Sequence, residues 1–201
     1  MTTSDNVRET LKRLPKGRPI TLATFKKCGS ATSVRQAVVR LANQGELVRL
    51  RRGVYARPKP VKHLKTQALA DPNAVAKVIA ARNHETLAPH GSDLARSFGL
   101  TTQQSVQPSF YTTGRTRKMK VVKQTLAFEH APTYLIDKQH SPAGQALLAL
   151  HYLGPEQINQ TLLERVRQRI GADAFEDVAK DKLRPWMRDV VVKLEKLHDA
   201  R

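Results

Sequence analysis

The stretch from Ser30 to Arg57, SATSVRQAVVRLANQGELVRLRRGVYAR, constrains the fold of this chain more than any other. Val34, Ala37, Val38 and Leu41 recur at the i, i+3, i+4, i+7 spacing of one buried helix face. Ser33 with Gln36 three residues later reads as a capping box, which predicts a helix starting near Ser33. Gly45 supplies the left-handed residue that ends it. Two short β-rich runs follow, Glu46–Leu50 and Val54–Arg57, joined by Arg51-Arg52-Gly53. A helix followed by a hairpin with a basic tip is the layout of a winged helix-turn-helix. In that fold the helix enters the major groove and the wing lies against phosphate.

A helix–hairpin unit can also serve only as a packing module, so side-chain chemistry has to decide. The exposed face of the helix carries Thr32, Ser33, Arg35, Gln36, Arg40 and Asn43, side-chain types that bond bases and phosphates. No acidic residue lies between Glu9 and Glu46, although eight lysines and arginines do. The expected DNA contacts are therefore Ser30, Thr32, Ser33, Arg35, Gln36 and Arg40 on the helix. Arg49, Arg51 and Arg52 join them from the hairpin.

The whole chain agrees with a polyanionic partner. Its formal charge is +18 over 201 residues, a balance that DNA, RNA or an anionic membrane surface would satisfy. The charge is graded: net +11 over residues 1–60, +6 over 61–139 and +1 over 140–201. That gradient suits a DNA-binding front end followed by a region with another task. Aromatic residues make up only 5%, too few for a base-stacking platform. No apolar run reaches the length of a membrane span, and MTTSDNVRE does not read as a signal peptide. One cysteine, Cys28, excludes an internal disulfide framework and suits a reducing cytoplasm; it is expected to pack in the second helix.

Taken in order, Val7, Leu11 and Leu14 predict a first helix capped by Ser4 or Asp5 and closed by Pro15-Lys16-Gly17. Ile20 predicts a short strand pairing with the wing. Thr21 is expected to cap a second helix that buries Leu22 and Phe25. Arg57-Pro58-Lys59-Pro60 is a stiff segment, which places a winged-helix domain over 1–57 and a second domain over 61–201. Helices are expected around Val61–Ala70 and Asn73–Asn83, and from a cap at Ser92 or Asp93 to Phe98. Strands are expected at Ser109–Thr113, Lys118–Lys123 and Gln124–Glu129, with Gly114 turning the first pair. Arg115, Arg117, Lys118 and Lys120 make that region basic, either as additional phosphate contacts or as a lysine-protected sheet edge. The tail reads as helices over Ala143–Leu153, Glu156–Ile170, Asp173–Lys182 and Trp186–Leu197. Their expected core is Leu147, Leu150, Leu153, Leu162, Val166, Leu183, Trp186 and Val190. The fold class is thus α+β: a winged helix, then a mixed domain with a small antiparallel sheet and a C-terminal helical bundle.

Signatures of catalysis are missing. The seven histidines form no zinc-like cluster, and there is no phosphate-binding glycine loop, Gly-x-Ser-x-Gly elbow or His-Glu-x-x-His. A nuclease would need paired carboxylates, and the strand region offers only Glu129. His90 and His130 stand beside turns and are read as structural. No cofactor or metal is expected.

ITLATFKKCGS with VRQAVVRLANQGELVRLRRGVY resembles the N-terminal winged helix of AbiEi-type antitoxins of bacterial type IV toxin–antitoxin systems. PHGSDLARSFGLTTQ, YTTGRTRKMK, FEHAP and LRPWMRDVV resemble the second domain of that family's short branch. The resemblance implies a DNA-binding autorepressor that counteracts a neighbouring nucleotidyltransferase-like toxin without needing to bind it stably. The residues themselves lead to the expectation of a cytoplasmic protein with no membrane partner. The reading from the residues adds a monomer or weak dimer that places two copies on an inverted-repeat operator. The alternatives are a solitary winged-helix regulator of a mobile element without a toxin, and a nonspecific basic RNA-binding protein.

Overall fold

The computed structural model describes residues 2–60, 70–180, 183, 185–189 and 191–192. It divides into two compact units, Met1–His84 with Lys118–Leu126, and Glu85–Arg117 with Ala127–Arg201. The division therefore does not fall at Pro58–Pro60. The first unit keeps a further helix and the end of a distant hairpin.

In the first unit α1 spans Thr3–Arg13. Its cap is Thr2, not Ser4 or Asp5. The Thr2 hydroxyl accepts from the Asp5 amide at 3.2 Å, and the Asp5 carboxylate accepts from the Thr2 amide at 2.9 Å. That reciprocal pair satisfies two donors of the first turn. Strand β1 (Pro19–Thr21) leads into a 3-10 helix over Leu22–Cys28, which buries Phe25; Thr21 makes no side-chain capping bond to it. Helix α2 (Ala31–Asn43) follows, then β2 (Val48–Arg51) and β3 (Val54–Ala56). The sheet order is β1-β3-β2, so Ile20 does pair with the wing, opposite Tyr55. One cluster holds these elements together: Val7, Leu11, Phe25, Val34, Val38 and Leu41 are buried in it beside Ile20 and Tyr55. Cys28 ends the 3-10 helix with its sulfur 3.4 Å from the Thr10 hydroxyl. Helix α3 (Pro72–Arg82) is capped by Asp71, whose carboxylate accepts from Asn73 and Ala74, with proline at the first turn where no donor is lost. Most of the expected helix around Val61–Ala70 lies outside the described residues.

In the second unit β4 (Leu87–Pro89) precedes α4 (Gly91–Ser97). The α4 cap is His90 rather than Ser92 or Asp93: the ring Nδ1 accepts from the Ser92 amide at 3.3 Å. Strands β5 (Ser109–Thr112), β6 (Arg117–Val121) and β7 (Gln124–His130) follow, in the sheet order β4-β5-β7-β6; Lys118–Leu126, most of β6 and the start of β7, belong to the first unit. Here the expected pairing is corrected. Gly114 turns no hairpin, because β5 pairs antiparallel with β4 and parallel with β7, while β6 lies on the far side of β7. The small sheet is mixed, and β4 is an addition to the expected strands. A parallel pair needs a connection longer than a tight turn, and β6 is part of that connection.

Helices α5 (Thr133–Ile136), α6 (Pro142–Leu153), α7 (Gln160–Ile170) and α8 (Ala172–Lys180) follow, and residues 185–189 and 191–192 are helical as well. Helix α7 starts four residues after the expected Glu156, because Asn159 caps it by accepting from the Leu162 amide at 2.9 Å. Apolar α6 is central, with Leu147, Leu148 and Leu150 essentially inaccessible. Val166, Leu183, Met187 and Val191 are buried in the same cluster, while Leu162 and Trp186 pack against it half-buried. Val190 and most of the tail beyond it lie outside the described residues.

Candidate nucleic-acid interface

Helix α2 presents two faces by simple periodicity. Val34, Ala37, Val38 and Leu41 are buried, and Thr32, Arg35, Gln36, Val39, Arg40 and Asn43 are exposed. The helix begins at Ala31, not near Ser33. Ser30 is the cap, its hydroxyl accepting from the Ser33 amide at 3.2 Å and donating to the Ser33 hydroxyl at 2.9 Å. Ser30 and Ser33 thus hold one another in the first turn. The expected box partner Gln36 is left on the solvent face. At 100° per residue the outermost stripe runs Thr32, Gln36, Val39, Asn43, with Arg35 on one flank and Arg40 on the other. Gly45, at φ 76°, and the amides of Glu46 and Leu47, which both reach the Leu41 carbonyl, turn the chain into the wing.

The wing is irregular. Arg49 pairs with Tyr55 and Arg51 with Val54, so Leu50 is an extra residue in β2, a bulge that twists and bends the strand. Gly53 sits at the tip with φ 78°, where a side chain would be strained and would also collide with the Arg82 guanidinium. Arg82, the last residue of α3, donates to the Arg52 carbonyl at 2.9 Å. That contact ties α3 to the tip. A cleft of about 600 Å³ lies between α2 and the wing, lined by Arg35, Val39, Arg49, Arg52, Tyr55 and Arg82 with Thr21, Leu22, Ala23 and Gly53. Among the described residues none of those four arginines forms an ion pair with a carboxylate. Arg51 is half-buried in β2, and exposed Arg40 is not among the residues lining the cleft.

The bulged Leu50 carbonyl accepts from the Val122 amide at 3.2 Å. Val122 lies in the β6–β7 turn at φ 53°, a left-handed conformation that is costly for a β-branched residue. The tertiary contact holds it there, and with it exposed Lys118, Lys120 and Lys123 join the same unit as the wing.

Arg117 has a different fate. Its guanidinium pairs with Glu85 and lies over the Phe128 ring at 4.6 Å to the centroid, with the Arg117 and Glu85 side chains only 20% and 14% exposed. It is a packing cation, which removes it from the expected phosphate contacts. Arg115 is exposed, and its carbonyl accepts from Arg117 at 2.8 Å. His90 is buried, bonded through Nε2 to Glu129 at 3.0 Å and through Nδ1 to the Ser92 hydroxyl at 2.7 Å, and tilted against Tyr111. His130 bonds the Gly114 carbonyl through Nδ1 at 2.9 Å. Both histidines hold turns in place.

Of the ten residues lining the α2–wing cleft, only Arg35, Arg49 and Arg52 were among the expected contacts, and the most consequential of those missed are Arg82 and Val39. Arg82 comes from beyond the expected domain boundary, and no local pattern marks it. Val39 was legible as the one large apolar residue at an outward position of the helix.

No helix among the described residues is long and apolar enough to cross a membrane. No curated protein matches the chain. The crystal structure of the RV2827C protein from Mycobacterium tuberculosis shares 13% identity over 96% of this chain and 78% of that one, at a TM-score of 0.44. A family of unknown function, DUF6088, matches residues 6–183.

Proposed function

We propose that this chain, which belongs to DUF6088, a family of unknown function, is a duplex-DNA-binding repressor of transcription. The observation that carries the reading is the cleft between α2 and the wing. Arg35, Arg49, Arg52 and Arg82 converge on it from four places in the chain, with no carboxylate paired to any of them among the described residues. Such a cluster repels itself in the isolated protein, and a phosphate backbone removes that cost. The exposed side chains of α2 supply groups for base edges. The protein is cytoplasmic and non-enzymatic in this reading, uses no cofactor, and binds an inverted repeat as two copies with centres about 34 Å or a multiple apart. The resemblance to AbiEi-type antitoxins adds a second role, neutralising a nucleotidyltransferase-like toxin without stable binding.

Mobility-shift titrations on the DNA upstream of the coding sequence, on a scrambled duplex and on duplex RNA test the first role. Preference for the upstream DNA, with two copies bound, is expected; equal affinity for RNA would replace it with nonspecific binding. Co-expression with the adjacent gene tests the second. The full-length Arg35→Ala/Arg51→Ala variant should still rescue growth while failing to repress. Absence of a toxin gene leaves a solitary regulator.

A further inference from the structure

We propose that Val39 is a specificity-determining residue of this DNA contact, seated against the C5-methyl group of a thymine in the major groove. The inference rests on the DNA-binding reading and goes beyond it to a base. Val39 is 46% exposed, one of three exposed large apolar residues among the described residues. Single exposed apolar side chains are common and need no explanation by themselves. Position distinguishes this one. It stands in the middle of the outermost stripe of α2, between Gln36 and Asn43, and lines the cleft with the four arginines.

Those arginines select a polyanion, and an apolar side chain among them gains nothing unless the polyanion carries an apolar group. The base edges of the major groove offer one, the thymine methyl; uracil lacks it. Gln36 lies three residues before Val39 and Asn43 four residues after, so the same stripe carries two amides. An amide matches the N7 acceptor and N6 donor of adenine. Three of the four outermost side chains therefore suit A·T pairs, while Arg35 and Arg40 flank them for guanine or phosphate. The same arrangement separates DNA from RNA by a methyl group.

The test uses the full chain and a duplex selected by it from a random-sequence pool. Each thymine of that duplex is replaced in turn by deoxyuridine, and affinity is read by fluorescence anisotropy. Losing one buried methyl is worth about fourfold, so about a three- to tenfold loss is expected at one thymine per half-site. Val39→Ala should bind the unmodified duplex more weakly by a similar factor and be indifferent to deoxyuridine at that position. Val39→Thr, which keeps one methyl, should remain partly sensitive. Circular dichroism confirms that both variants are folded, as expected at an exposed site. Wild-type indifference at each thymine, or undiminished sensitivity in Val39→Ala, overturns the assignment while leaving DNA binding intact. Failure to bind any duplex overturns both.

Discussion

Two sets of arginines, one in each unit, meet opposite fates. In the first unit Arg35, Arg49, Arg52 and Arg82 surround an open cleft without a paired carboxylate among the described residues. In the second unit Arg117 is enclosed by Glu85 and the Phe128 ring. The chemistry of the side chain is the same, and Arg52 and Arg117 even share a local setting, a basic run near a glycine. What differs is whether the fold brings a carboxylate to it from far along the chain. An enclosed arginine is spent on holding strands together. An open cluster costs stability through like-charge repulsion and keeps its charge available for a ligand.

The contrast predicts effects of different kind and size. Arg117→Ala should cost about 2–4 kcal/mol of folding free energy, because it takes the cation from a mostly buried Glu85 carboxylate; urea denaturation measures this. Arg117→Met combined with Glu85→Leu should recover most of the loss. If Arg117→Ala instead leaves stability unchanged and weakens DNA binding, the distinction between the two arginine sets breaks.

Arg35→Ala and Gln36→Ala should leave stability nearly unchanged and cost about 1–3 kcal/mol in binding the cognate duplex. The loss should be smaller on scrambled DNA. An equal loss on both would move Arg35 from the bases to the backbone. A drop in thermal stability for Gln36→Ala would speak for a capping role, against Ser30 as the cap.

Arg52→Ala should weaken all duplexes alike and lower the salt slope by about one ion. Arg82→Ala should do the same and also loosen the wing tip, since Arg82 holds the Arg52 carbonyl. A salt slope unaffected by either variant would take α3 out of the interface.

The smallest effect sharpens the comparison at a carboxylate held by a helix cap rather than by an enclosing arginine. Hydrogen bonds from the backbone and side chain of Thr2 hold the Asp5 carboxyl below its ordinary value of 3.8. A carboxylate with a lowered pKa in the folded state stabilises above the ordinary value, and the gain fades as pH falls through the folded one. Asp5→Asn should therefore lower the thermal midpoint slightly at pH 7, with the difference closing below about pH 4. A difference that persists unchanged in acid would mean the capping box does not depend on the carboxylate charge.

The chain alone determined what repeats at short range. The buried stripe of α2, the turn at Gly45, the wing with Gly53 at its tip and the pairing of Ile20 with that wing are set by spacing and by glycine's access to positive φ. The apolar run of α6 likewise announced its burial. Tertiary structure decided among local options that are nearly equal in energy. Thr2, Ser30 and His90 won the capping positions over neighbours of equal or higher propensity, because a cap depends on where the preceding chain arrives. The parallel β5–β7 pairing could not be read, since period-two alternation gives a strand but not its partner. Nor could the fates of Arg82 and Arg117. Charge in a sequence has sign and number only; its use is fixed by which carboxylate, ring or carbonyl the fold sets within reach, and here those partners lie 30 or more residues away for Arg82–Arg52 and Arg117–Glu85.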